Sequence, residues 1–229
     1  MKRPTAGGIA LATVVMAGAG CATTPTPLLI QPSNTSYHET VFEGSKILVV
    51  APHLRSMDVE TERELRASKS TASAMSALMT AHARTTALQQ GFEVVSANDI
   101  PELQAGSLAQ SLDEISRGSS DLLKVWSKGR EQLVATLQIL REATGADAVL
   151  LQATTMKIGQ QARWDAVMTG RVLAGTSSSD LTVGLVDMAT GGVVWKQEAF
   201  YRDVLNIDTM DRLLKMVFEY FPRRHPSET

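Results

Sequence analysis

One cysteine, three tryptophans, three tyrosines and five phenylalanines are all that the 229 residues hold of those types. A single thiol excludes an internal disulfide framework. The four histidines, His38, His53, His82 and His225, stand far apart without an i,i+4 pair or a His-Glu-x-x-His spacing, so no zinc pattern is present. The chain beyond residue 20 has no Gly-rich phosphate loop followed by Lys-Ser/Thr, no Gly-x-Ser-x-Gly elbow and no Ser-x-x-Lys set. Those are the markers of the common nucleotide and acyl-transfer chemistries. Lys and Arg number 22 against 24 Asp and Glu, and this balance offers no basic excess for nucleic acid. The expectation is a protein with no catalytic residue, no metal and no cofactor.

What is present begins at the amino terminus. Lys2 and Arg3 form a basic head, Ile9 to Ala19 is apolar and uncharged, and Gly18-Ala19-Gly20 leads with small residues into Cys21. This is the pattern of a secretory signal peptide, residues 1–20. The run is shorter than the ~20 apolar residues of a spanning helix, and Pro/Thr-rich sequence follows it. The segment resembles a bacterial lipobox, although Gly18 stands where such boxes usually carry Leu. The resemblance implies that Cys21 is acylated and becomes the new amino terminus, which also accounts for a lone thiol in an oxidising compartment. Two or three chains give lasting attachment where one gives only reversible binding. The residue after the cysteine is Ala22, not the Asp that commonly marks inner-membrane retention, so the resemblance implies an outer-membrane anchor facing the periplasm. Removing Lys2 and Arg3 leaves 20 basic against 24 acidic residues.

Residues 21–45 read as the acylated terminus and a tether, with one short edge segment at residues 28–30 and a reach of roughly 80 Å at ~3.3 Å per residue. Residues 46–222 read as one α/β domain with a helical insertion at about 102–144, and residues 223–229 as a tail. Lys46 to Ala51 is a continuous apolar run closed by Pro52, the signature of a buried strand. A charged stretch over residues 53–66 leads into a helix running from about Val59 to Gln90, with Met75, Leu78, Met79, His82 and Leu88 inward and Gly91 as the stop. Residues 92–96 and 147–155 are further strands. Residues 102–120 suggest a helix or an insertion, and Asp121 is expected to cap a helix carrying Leu122, Trp126, Leu133, Leu137 and Leu140, ended by Gly145. Residues 181–187 and 193–200 form a hairpin around Met188-Ala-Thr-Gly-Gly. Asp208 is expected to cap a last helix, with Met210, Leu213, Leu214, Val217, Phe218 and Phe221 on one stripe. The fold class is therefore α/β, a compact sandwich of a small mixed sheet with a C-terminal β-hairpin, flanked by helices.

Three phrases carry that order: Leu88-Gln-Gln-Gly-Phe-Glu-Val-Val, Ala143-Thr-Gly-Ala-Asp-Ala-Val-Leu-Leu and Leu185-Val-Asp-Met-Ala-Thr-Gly-Gly-Val-Val-Trp-Lys. They resemble the core signatures of periplasmic lipoproteins of the meningococcal surface-antigen type, related to the curli secretion lipoprotein and to folds like the TolB amino-terminal domain. The resemblance spans roughly residues 46–221 and implies a non-catalytic scaffold or secretion accessory. Its partners would be envelope proteins, such as a curli-secretion-like lipoprotein, or further copies of the chain. Two departures stand out. Residues 156–179 are too short and irregular to supply the paired membrane hairpins of a pore, and the insertion at 104–128 is longer than the minimal fold requires.

Individual residues carry competing readings. Asp187, beside Gly191, reads more readily as a turn acid accepting backbone N–H groups than as a catalytic carboxylate, and Asp147 likewise sits at a helix-to-strand corner. Trp195, which should share a strand face with Val193 and Gln197, reads as core. Trp126 and Trp164 lie in the segments the core needs least and are candidate partner anchors. Alternatives to the scaffold are an activator of a peptidoglycan synthase and an envelope enzyme with an unrecognised site.

Overall fold

Ile47, Leu48, Val49 and Val50 are all buried, which a strand achieves only when both of its faces are covered. In the computed structural model, which describes residues 29–31, 41–58, 69–96, 99–124, 129–158, 177–202 and 205–224, this run forms β3 (Lys46–Val49) inside a seven-stranded mixed sheet. Before it come β1 (Leu29–Gln31) and β2 (Val41–Phe42); after it come β4 (His53–Asp58), α1 (Lys69–Gln89) and β5 (Glu93–Ser96). A 3-10 turn (Pro101–Gln104), α2 (Gly106–Arg117), α3 (Ser119–Leu122) and α4 (Arg130–Thr144) precede the long strand β6 (Ala148–Ile158). The hairpin of β7 (Ser178–Asp187) and β8 (Val193–Tyr201), the helix α5 (Ile207–Phe218) and the short β9 (Arg223–Arg224) complete the order. The architecture is α/β, a mixed sheet with a C-terminal hairpin and helices on both faces.

The strands lie in the order β1-β8-β7-β6-β3-β5, with β4 placed beyond β3 along the same edge of β6. β3, β4 and β6 are parallel, whereas β6, β7, β8 and β1 alternate antiparallel. Val49 pairs with Leu150 and His53 with Ala153, so three residues on one strand face two on the other. That extra residue is a bulge, and Pro52, which has no N–H to give to a ladder, sits within it. Pro52 therefore interrupts the strand where the sequence suggested that it closed it. The charged stretch beginning at residue 53 opens with this second parallel strand.

Alternation along β3 divides the core. Ile47 and Val49 join Met75, Met79, Ala83 and Ala87 of α1 and Met210, Leu213, Leu214, Val217 and Phe218 of α5 on one face. Leu48 and Val50 join Leu103, Ile115, Leu122, Leu133, Leu137 and Leu140 of the α2–α4 layer on the other. The inward stripe of α1 thus runs at strict i+4 spacing through two alanines, while Leu88 is 53% exposed. Alanine supplies little burial, but it lets the helix backbone approach the sheet.

Two capping expectations are corrected. Asp121 lies inside α3, and α4 starts anew after Gly129, whose φ of +81° no ordinary helix tolerates. At α5 the cap is Asn206, whose Oδ1 accepts from the Thr209 N–H at 2.8 Å, while Asp208 sits in the first turn. Trp195 is fully buried, stacked on Phe218 and edge-on to Phe221. It does not share its face with Val193. Leu185 pairs with Trp195 but Val186 with Val193, and this bulge at Val194 turns Val193 onto the α2–α4 side.

Candidate interaction surface

The groups singled out for possible chemistry occupy defined places. Asp187 Oδ1 accepts from the backbone N–H of Thr190 at 2.7 Å and from its hydroxyl at 2.8 Å, closing the β7–β8 turn. Gly191, at φ +69°, donates its N–H to the Asp187 carbonyl, and a Cβ there would meet Val134 Cγ2 at 2.4 Å. Arg130 Nη2 donates to the Gly191 carbonyl and Gln138 Nε2 to that of Ala189, so α4 holds the turn from the side. Asp147 Oδ2 accepts from the N–H of Ser45 at 2.7 Å and of Lys46 at 3.0 Å, which fixes the start of β3 against that of β6. Both carboxylates are bound to the backbone they organise.

His82 and Asp211 connect the two helices of one face, Nε2 to Oδ1 at 2.8 Å, and Lys215 reaches the other oxygen of Asp211 at 2.6 Å. Hydrogen bonds from Lys215 and then His82 hold the Asp211 carboxyl below its ordinary range, and the desolvation that opposes them is smaller. The cluster sequence reasoning missed was this one, because its members lie 129 residues apart. Asp99 is lowered in the same way by the hydroxyl and N–H of Ser96. Among the described residues no three His, Cys, Asp or Glu side chains gather as a metal site, and no helix is long and apolar enough to cross a membrane. Cys21, Trp126, Trp164, His38 and His225 lie outside the described residues.

The side chains that face outward from the sheet are better placed for contact than for chemistry. Leu123 lies against Gly184 on the α2–α4 side, and a Cβ on that glycine would sit 2.2 Å from Leu123 Cδ2. Beyond this point the same face becomes polar. One cross-strand row runs His53, Ala153, Thr182, Glu198, and the next runs Arg55, Thr155, Asp180, Phe200. Lys196 and Glu198 form an ion pair of 2.6 Å there. These rows lead to the end of the sheet where Asp58 pairs with Ile158, Lys157 with Ser178 and Ser179 with Tyr201. Ile158 and Ser178 both lie at this end.

No family model matches the chain, and the comparison with curated proteins gives no match. Solved structures do. PelC from Paraburkholderia phytofirmans, a dodecamer, is 12% identical at a TM-score of 0.42, covering 86% of this chain and all of its own. The lipoprotein GNA1162 from Neisseria meningitidis is 18% identical at 0.36, covering 76% and 93%. LpoB from Escherichia coli is 16% identical at 0.35, covering 88% and 84%. The second is a meningococcal lipoprotein, the kind that the three sequence phrases resemble.

Proposed function

We propose that the chain is an accessory lipoprotein of the bacterial envelope, anchored through acyl chains on Cys21 to the outer membrane and facing the periplasm, that acts through protein contacts and not through catalysis. Its partners are envelope proteins or further copies of itself, with Trp126 and Trp164 as the anchors. What supports this reading is the use made of the aspartates in two of the three core phrases: Asp147 and Asp187 are each bound to backbone N–H groups of a strand start or a turn. A carboxylate so engaged stabilises the fold, and the signatures become a scaffold for surfaces that lie elsewhere. The peptidoglycan-synthase activator fits less well, because β1 ties the linker to the sheet eight residues after Cys21 and shortens its reach.

The test is recovery of partners from detergent-solubilised membranes with wild-type, Trp126→Ala and Trp164→Ala chains, alongside their thermal midpoints. Loss of a partner or of the homo-oligomer at an unchanged midpoint is the expected result. Full recovery with both variants would remove the interface, and a fatty-acid analogue that failed to label Cys21 would remove the anchor.

A further inference from the structure

The register of β1 fixes more than an edge strand. Leu29 pairs with Phe200, Ile30 with Ala199 and Gln31 with Glu198, so the chain enters the sheet at the end where β8 finishes. That end also holds the finish of β4 and β6 and the start of β7. The opposite end carries the 188–192 turn and the starts of β3 and β6. Seven residues, 22–28, separate Cys21 from Leu29. Fully extended, that connection covers about 28 Å. β6 has 11 residues, and at ~3.3 Å each the sheet is about 35 Å long.

Resting on the acylated Cys21 of the proposed function, we infer that the β1 entry end of the sheet, with Lys157, Tyr201 and Arg202, lies against the lipid surface, and that the β7–β8 turn points away from it. With the turn on the bilayer, Leu29, level with Phe200 and seven residues along β8 from Val193, would stand more than about 23 Å from the surface at ~3.3 Å per residue, and the connection would have to run almost fully extended along the body; with the entry end on the bilayer it need not. The described side chains at the entry end suit a headgroup layer. Lys157, Arg55 and Arg202 are exposed and Tyr201 is half-buried, with an aromatic body and a polar tip. Acidic groups are present too: Asp58 is buried and Asp180 is half-buried. The short connection, not a basic patch, is therefore what sets the orientation.

The test uses the acylated protein purified from membranes and reconstituted in phosphatidylethanolamine/phosphatidylglycerol vesicles, with the mass of its amino-terminal peptide read first. Because the chain has one cysteine and acylation blocks it, Lys157→Cys, Arg202→Cys and Ala189→Cys each place a single bimane probe. A nitroxide on the lipid headgroup should quench the probes at 157 and 202 at least several-fold more than the one at 189. Equal quenching, or the reverse order, overturns the orientation. A twenty-residue Gly/Ser spacer between Pro27 and Leu28 should reduce quenching at 157 and 202 several-fold, and unchanged quenching overturns the role of the short connection. A protein whose mass shows no acyl chains refutes the anchor itself, an outcome distinct from an acylated protein held the other way round.

Discussion

On one face of the sheet Trp195 lies with its ring centre 5.1 Å from that of Phe221 and 6.2 Å from that of Phe218, and Phe92 extends the cluster to Phe42. The buried core of the other face, among the described residues, consists of Leu, Ile, Val, Ala and Met with no aromatic ring. A composition poor in aromatics has been concentrated on one side. The ringed side is covered by two helices, α1 and α5, that approach the sheet through alanines and through one continuous apolar stripe. The aliphatic side is covered by three helices, α2, α3 and α4, and one of its contacts is a leucine against the bare backbone of Gly184. On one side rings fill much of the space while the alanines of α1 bring that helix close; on the other, aliphatic chains fill it and one of them lies directly on the backbone of Gly184.

The comparison is broken most severely by charge on the ringed face. Leu214 is fully buried beneath α5. Leu214→Asp should cost several kcal/mol, on the order of the whole stability margin of a domain, because a carboxylate there has no solvent and no partner. The measurement is the urea midpoint, or the loss of a cooperative transition. A midpoint equal to that of wild type would mean that α5 is not held by this face.

The aliphatic face should fail through crowding instead. Gly184→Ala brings a Cβ against Leu123 Cδ2 at 2.2 Å and the Trp195 carbonyl oxygen at 3.0 Å. The cost should be about 1–3 kcal/mol. Pairing it with Leu123→Ala, which removes the flexible partner, should make the double variant lose less than the sum of the two single losses. Strict additivity in urea melts would show that Leu123 does not set the closeness of that layer.

Much of this division was legible in the sequence, and the exceptions have physical causes. The unbroken run Ile47–Val50 announced a strand covered on both faces, and the stripe from Met210 to Phe218 announced α5. β4 was not legible, because His53-Leu-Arg-Ser-Met-Asp gives a weak alternation and follows a proline, which reads as an end and here marks a bulge. The partner of Val193 was hidden for the same reason: a bulge shifts facing by one residue and leaves no mark in composition. Asn206 escaped notice because Asp208, two residues later, is an equally good cap by type. The site is a matter of distance along the chain. Asp187 could be read as a turn acid from its neighbours, whereas His82 and Asp211 meet only after the sheet has brought α1 and α5 side by side.

A smaller effect, of opposite sign, sharpens the contrast. Gln152 is fully buried on the ringed face, and among the described residues neither its Oε1 nor its Nε2 finds a hydrogen-bond partner; the Trp195 Nε1 is in the same position. Polar atoms without partners cost stability that an apolar group of the same size does not. Gln152→Leu should therefore raise stability, by about 1 kcal/mol. A destabilised variant would show that the amide contributes more than it costs in the folded protein.

The smallest effect concerns the link between the two helices of that face. Lys215 and His82 favour the charged form of Asp211 and lower its folded pKa below the usual 3.8. A carboxyl lowered on folding stabilises the native state at every pH above its unfolded value, and that contribution is lost as pH falls through the folded one. Wild type should thus exceed Asp211→Asn in urea midpoint near neutral pH, and the gap should close in strongly acidic solution as wild-type Asp211 takes up its proton. The pair is partly exposed, so salt screens it and the gap should also narrow at high ionic strength. Melts at neutral and acidic pH, each at low and high salt, make the check. A gap that stayed constant into acid would mean that Asp211 joins α1 to α5 through shape and neutral hydrogen bonding, and the ringed face would then owe nothing to the charge at its rim.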